Sequence, residues 1–251
     1  MMGRLALILL GLSAAMGAVA ATTNELSEAE SQGRQLAQQI WERLEQPPPE
    51  SLTNTGVLII NDSNGRRSEI PVQFQTTTGA AGWSTTCETT AESNRVALVV
   101  IHETGQPNRY ELYHGLSQAL PSPEILIGNK TMIPFAGSDF WIADLGLEFF
   151  HWPEQKILRH EMRRGRACKV LQSTNPHSFP DSYSRVVSWI DNETLAIVQA
   201  EAYDAKGKLL KEFYPKDFKK VNGQWAMGEM EMINDQTGSR TRIKFDLKKH
   251  D

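Results

Sequence analysis

The stretch that decides the fold begins at Trp189-Ile190-Asp191-Asn192-Glu193-Thr194. It continues through Tyr203-Asp204-Ala205-Lys206-Gly207-Lys208-Leu209-Leu210-Lys211 and Gln224-Trp225-Ala226-Met227-Gly228-Glu229-Met230-Glu231-Met232, and closes with Thr237-Gly238-Ser239-Arg240-Thr241-Arg242-Ile243-Lys244-Phe245. Each block has the length of a strand. Each gap holds residues that favour tight turns, such as Asp-Ala-Lys-Gly at 204–207 and Asn-Asp-Gln-Thr-Gly at 234–238. Met230 and Met232 share one face; so do Ile243, Phe245 and Leu247, with Arg242, Lys244 and Asp246 opposite. This pattern predicts an antiparallel meander with one broad apolar face and no obvious reaction centre.

Working outward, the same grammar recurs upstream. Residues 56–61, 67–76, 83–89 and 95–102 read as strands, separated by turns such as Ser63-Asn64-Gly65, and Tyr110 begins another. Asn24 to Glu45 reads as a helix, with Leu36, Ile40 and Leu44 four apart and Pro47-Pro48-Pro49 as its stop. Ser138 is expected to cap a short helix running to about Phe150, with Pro153 just beyond. The total is about eleven strands, one long leading helix and one short central helix. The fold class is therefore mainly β with some α: one large antiparallel sheet, curved and partly closed. Periodicity alone leaves an open half-barrel, a closed barrel and a sandwich as alternatives.

The order of these blocks resembles the C-terminal half of the LolA-like outer-membrane lipoprotein-sorting proteins. A Trp-x-Asp strand (189–191), a Tyr-Asp…Gly-Lys…Lys hairpin (203–211) and the Trp…Met-Glu-Met ending (225–232) carry the likeness. Upstream, Gly137-Ser138-Asp139-Phe140-Trp141-Ile142-Ala143-Asp144-Leu145 is similar to the family's Gly-Ser-Asp-Phe segment, with Trp141 where a small residue is usual. The resemblance covers roughly residues 130 to 247. It implies an open half-barrel with helices over its concave mouth, and a periplasmic carrier for the acyl chains of lipoproteins or related lipids. It also implies partners by analogy: an inner-membrane release complex and an outer-membrane acceptor.

The N-terminus is read as a cleaved export signal. Arg4 precedes an apolar run from Leu5 to Leu12, and Ala18-Val19-Ala20 forms an exit site, placing cleavage after about Ala20. Residues 21–251 then form a single domain, soluble and monomeric in the periplasm. A formal net charge of −4 over 251 residues argues against nonspecific nucleic-acid binding. The basic stretch Arg159, Arg163, Arg164, Arg166 and Lys169 reads as solvated strand faces or as a patch toward anionic lipid headgroups or an acidic partner. Cys87 and Cys168 lie in separate strand-like runs, and a disulfide between them is expected in an oxidising compartment.

No catalytic pattern emerges. Gly115-Leu116-Ser117-Gln118-Ala119 lacks the final glycine of a nucleophile elbow, and neither His102-Glu103 nor His160-Glu161 extends to a zinc-binding His-Glu-x-x-His. There is no phosphate-binding loop, and neither a cofactor nor a metal is expected. What stands out is apolar surface. One long and one short helix are too few to cover so large a sheet, so the remaining apolar face is a cavity, an interface or a liability. The candidate cavity and lid residues are Phe74, Trp83, Phe140, Trp141, Leu145, Phe149, Trp189, Met230, Met232 and Phe245. The segment from Ser138 to Phe150 is the candidate lid. The expected function is an acyl-chain carrier without covalent chemistry. The alternatives are a periplasmic sensor of lipids or lipoproteins, a structural envelope protein, or a lipid hydrolase.

Overall fold

The computed structural model describes residues 26–44, 52–79, 82–91, 95–103, 105–115, 122–221 and 224–247. The expected signal segment and the proline triplet lie outside the described residues.

The leading helix, α1 (Glu28–Leu44), starts at a reciprocal cap. The Glu30 carboxylate accepts the Ser27 backbone N–H at 2.9 Å, while the Ser27 hydroxyl accepts the Glu30 N–H at 3.4 Å. Six strands follow: β1 (Leu52–Asn61), β2 (Arg67–Gly79), β3 (Gly82–Thr89), β4 (Val96–Glu103), β5 (Arg109–His114) and the short β6 (Glu124–Leu126). After a non-strand segment come seven more: β7 (Glu154–Arg163), β8 (Arg166–Thr174), β9 (Arg185–Asp191), β10 (Ile197–Tyr203), β11 (Leu209–Val221), β12 (Gln224–Asn234) and β13 (Arg240–Phe245). The sheet thus has 13 strands where the sequence pattern suggests about eleven.

All thirteen strands form one curved antiparallel sheet in the order β6-β5-β4-β3-β2-β1-β13-β12-β11-β10-β9-β8-β7. Two meanders, β1–β6 and β7–β13, are stitched together where β1 pairs with β13, Leu58 opposite Ile243. This order has a direct consequence. Strands β6 and β7 are adjacent in the chain but form opposite edges of the sheet, so the segment between them must cross its whole width. It crosses on the concave face, and it carries the residues expected to form the lid.

That lid is not the single helix the sequence suggests. Ser138 caps nothing helical; its hydroxyl accepts the Phe140 N–H at 3.2 Å. Residues 135–140 form a tight turn, closed by a Phe135 N–H to Phe140 carbonyl bond of 2.8 Å, with Gly137 at φ +71°. A one-turn helix, α2 (Ile142–Leu145), starts at Trp141, whose backbone N–H is held by the Asp144 carboxylate at 2.7 Å. Leu147, at φ +51°, breaks the chain out of helical geometry before a 3-10 turn over Glu148–His151.

The core lies between these crossing elements and the sheet. Leu36, Ala37 and Ile40 of α1 pack with Phe149, Phe150, Ile157, Leu171, Val186 and Ile190 at the β7–β10 end. Cys87, Leu98, Val100, Tyr110 and Leu112 form a second cluster at the β3–β5 end, with Phe135 and Ile142 above them. A third cluster, at the middle of the sheet, joins Leu58, Val72, Met232 and Ile243 to Phe140.

The expected disulfide does not form. Cys87 and Cys168 are both free and buried. Cys87 packs among the inward-facing residues of β3, whereas Cys168 packs with Val170, Val187 and Trp189 in a separate cluster on the other face. Strands β2, β1, β13, β12, β11, β10 and β9 lie between the two, far beyond the Cα separation of about 4.4–6.8 Å a bridge needs.

Candidate functional site

Between the crossing segment and the sheet lies a cavity of about 390 Å³. Its floor comes from alternate residues of successive strands: Phe74 of β2, Leu98 and Val100 of β4, Ala200 and Ala202 of β10, Phe213 of β11, Met230 and Met232 of β12, and Phe245 of β13. Period-two alternation puts these side chains on one face, and the antiparallel register aligns them across strands. Ala200 stands opposite Phe213, and Phe213 opposite Met232. The roof is Phe140, Leu145, Leu147, Phe149 and Phe150, and α1 contributes Ile40 and Leu44. Phe218, 48% exposed, is also part of the lining.

Seven of the ten residues expected at this site line the cavity: Phe74, Phe140, Leu145, Phe149, Met230, Met232 and Phe245. Three do not. Trp189 alternates out of register with the inward-facing Val186 and Ile190, so it lies on the opposite face, where the Arg163 guanidinium sits 4.7 Å above its ring and its indole N–H bonds Glu161. Trp83 faces inward but at the far end of β3. There it stacks on His102 at 3.8 Å, in a group that Trp41 and His151 complete. Trp141, at the start of α2, stacks on Tyr183 at 4.4 Å and is not part of the cavity lining.

The sequence candidates omit apolar lining residues such as Leu98, Val100 and Phe213, and they omit the ionisable ones altogether. Asp144, Tyr183 and Lys211 lie in the wall of a mostly apolar chamber. The Tyr183 hydroxyl donates to the Asp144 carboxylate at 3.0 Å, and Lys211 Nζ lies 3.8 Å from Asp144 Oδ2. Lys211 is 1% exposed; its ammonium donates to the Asp139 carbonyl at 2.7 Å and sits 3.6 Å from the centre of the Trp141 ring. Asp139 is fastened in turn to β13. Its carboxylate accepts the Ser239 and Thr241 hydroxyls at 2.5 and 2.7 Å, and its N–H donates to the Thr241 hydroxyl at 2.9 Å. The roof is thus pinned to the sheet by side chains of β11, β13 and the approach to β9.

Electrostatics match this burial. Desolvation pulls the Lys211 ammonium down to about 7, against the opposing pull of Asp144 and Asp139. Burial likewise pushes the Asp144 carboxyl up, partly countered by Lys211. A signal for Lys211 does exist in the sequence. In Leu209-Leu210-Lys211-Glu212-Phe213 the lysine shares its face with Phe213, so a charge falls in the inward register.

Comparison with known proteins places this fold. A family model described as "-like: Uncharacterized protein" matches residues 116–250, more than half of the chain. No curated protein matches the sequence. Among solved structures, a DUF1329 family protein from Desulfovibrio piger is similar over 90% of this chain and 94% of its own, with 19% identity and a TM-score of 0.70. A putative outer membrane lipoprotein-sorting protein domain from Vibrio parahaemolyticus matches over 86% and 91%, with 20% identity and a TM-score of 0.69. A LolA superfamily protein from Nitrosomonas europaea matches over 86% and 94%, with 18% identity and a TM-score of 0.53. The open, curved sheet is thus the LolA-like fold that the order of the strand blocks implies.

Proposed function

We propose, for a chain that belongs to the family whose model spans residues 116–250 and has the LolA-like fold, that it binds acyl chains of lipoproteins or related lipids in its cavity and carries them across the periplasm. The observation that carries this reading is the apolar cavity of about 390 Å³ roofed by a crossing segment. A volume of that size falls at the small end of ligand pockets, which run from about 300 to 1,000 Å³. The name of the Vibrio parahaemolyticus neighbour, a putative lipoprotein-sorting domain, points the same way. Transport from the inner toward the outer membrane, with a membrane complex giving up the cargo and an acceptor taking it, is part of the same proposal.

The energetics favour carriage without a covalent step. At about 0.8 kcal/mol per buried methylene, a chain of about fourteen gains roughly 11 kcal/mol gross before ordering costs. Met230 and Met232 suit a site that must accept and release chains of varied shape, because an unbranched thioether repacks readily. The role asks no bond-making of the protein.

The test is native mass spectrometry of the mature protein purified from periplasm without detergent, with solvent extraction of bound lipid. An acyl-bearing adduct that Phe140→Glu or Met230→Glu diminishes supports the carrier. A bare mass, unchanged after incubation with lipoprotein or phospholipid, sinks it and leaves the apolar face to a structural role.

A further inference from the structure

Among the described residues the cavity wall holds a single ammonium, and only one of its three donors meets an acceptor within hydrogen-bond range. Lys211 has three N–H bonds to place. The Asp139 carbonyl takes one at 2.7 Å, the Trp141 ring occupies one side at 3.6 Å, and Asp144 Oδ2, at 3.8 Å, lies outside hydrogen-bond range. A cation kept from water with a donor unfilled is costly, and a ligand atom able to accept relieves that cost.

Negative charge, by contrast, is already supplied. The carboxylate of Asp144 faces Lys211, and Asp139, buried at 8% exposure with its carboxylate held by Ser239 and Thr241, stands behind the lining, close enough to pull on the same ammonium. One ammonium therefore stands among two carboxyl groups. A further anion would be the third, in a wall of low dielectric where like charges repel strongly. What Lys211 lacks is a second neutral acceptor oxygen.

From this, and resting on the acyl-binding reading above, we infer that the cavity takes its chain as a neutral ester, the carbonyl oxygen accepting from Lys211 Nζ, and rejects the free carboxylate of equal length. The selectivity is built from Lys211 and the two aspartates together. Lys211 attracts the acceptor, while Asp139 and Asp144 repel charge.

Three ligands of one chain length test this on the unmodified mature protein: methyl laurate, methyl dodecyl ether and laurate, each titrated against a displaceable fluorescent probe at pH 6, below the Lys211 value of about 7 and above the usual carboxylate range. The ester is expected to bind about tenfold tighter than the ether, the usual scale for a hydrogen bond from a charged donor. It is expected to exceed laurate by at least about tenfold. An ether equal to the ester, or laurate equal to or tighter than the ester, overturns the inference and leaves chain binding standing. Failure of all three to bind overturns both readings. Because every comparison uses the wild-type chain, no misfolded variant can obscure the result.

Discussion

Replacing Gly33 with alanine probes the contact that seats α1 against the edge of the sheet. A Cβ at this position meets the Lys156 backbone N at 2.5 Å, and the Gln155 carbonyl carbon and Lys156 Cα at 2.6 Å each. Ordinary carbon contacts lie at about 3.5–4.0 Å, so the helix must retreat by roughly 1 Å. All three obstructing atoms are β7 backbone, and none can rotate away. The retreat loosens Leu36, Ala37 and Ile40, which are 3, 4 and 4% exposed, and a gap of that size forfeits about a quarter to a half of each contact's attraction. Overpacking of this kind costs about 1–3 kcal/mol, and the better helix propensity of alanine returns up to about 1 kcal/mol. A net loss of about 1–2 kcal/mol lowers the melting temperature by roughly 2–8 °C for a domain of this size. Thermal unfolding followed by circular dichroism reads the shift, with Gln39→Ala, on the exposed side of α1, as the control expected within about 0.5 kcal/mol of wild type. Because Ile40 and Leu44 line the cavity, the same variant is expected to bind acyl ligand more weakly. A Gly33→Ala protein that melts at or above wild type would refute the close approach of α1 to β7.

Breaking the buried polar cluster has a different signature. Lys211→Met leaves Asp144 without its cation and is expected to cost about 3–5 kcal/mol, while adding Asp144→Asn recovers part of that loss. Urea midpoints for wild type, Lys211→Met, Asp144→Asn and the double variant measure the coupling, and strictly additive losses would show that the two residues are not coupled. Acid is expected to destabilise the fold through His102 and His151, each pulled down to about 4 by burial. His102 Nδ1 and His151 Nε2 find no hydrogen-bond partner among the described residues. Because the folded values lie below the ordinary value of about 6.5, their contribution is intact above that pH and is lost as pH falls toward 4. A His102→Gln variant should show a shallower decline of urea midpoint between those limits, and an unchanged slope would count against the assignment. Both thiols are expected to alkylate only on unfolding, since burial raises the Cys87 and Cys168 thiols above their usual range. An intact mass two protons lighter than the dithiol, with no alkylation after denaturation, would restore the disulfide.

How legible the fold was depends on which feature one follows. The face of each strand could be read from alternation, so Met230, Met232 and Phe245 were recognisable as neighbours before any contact was known. Alternation also contained the warning against Trp189, because Val186 and Ile190 claim the inward register of β9 and leave the tryptophan on the outside. The disulfide failed for a different reason: strand order is a long-range property, and nothing local to Cys87 or Cys168 says that seven strands separate them. The lid helix failed locally. Asp139 and Ser138 are good capping residues, but Asp139 is engaged by Thr241 and Ser239 a hundred residues away, and that tertiary demand overrides its capping preference.

Strand order also explains why a cavity exists at all. Had β6 and β7 been neighbours, a short turn would have joined them and the concave face would have stayed open. As opposite edges they force residues 127–153 to bridge the curve, and a bridge over a concave surface touches it at points rather than everywhere. Those points are the buried clusters at the two ends and the centre of the sheet, where Phe150, Ile142 and Phe140 make contact. Between them, small side chains keep the floor low: Ala200 and Ala202 stand on β10 and line the cavity. Filling that space is therefore the most direct probe of the cavity as a working part. Ala202→Phe places a ring in existing volume, so it is expected to leave the melting temperature unchanged or raised while abolishing acyl-ligand binding. A variant that keeps both its stability and its ligand would mean that the chain binds elsewhere on the molecule.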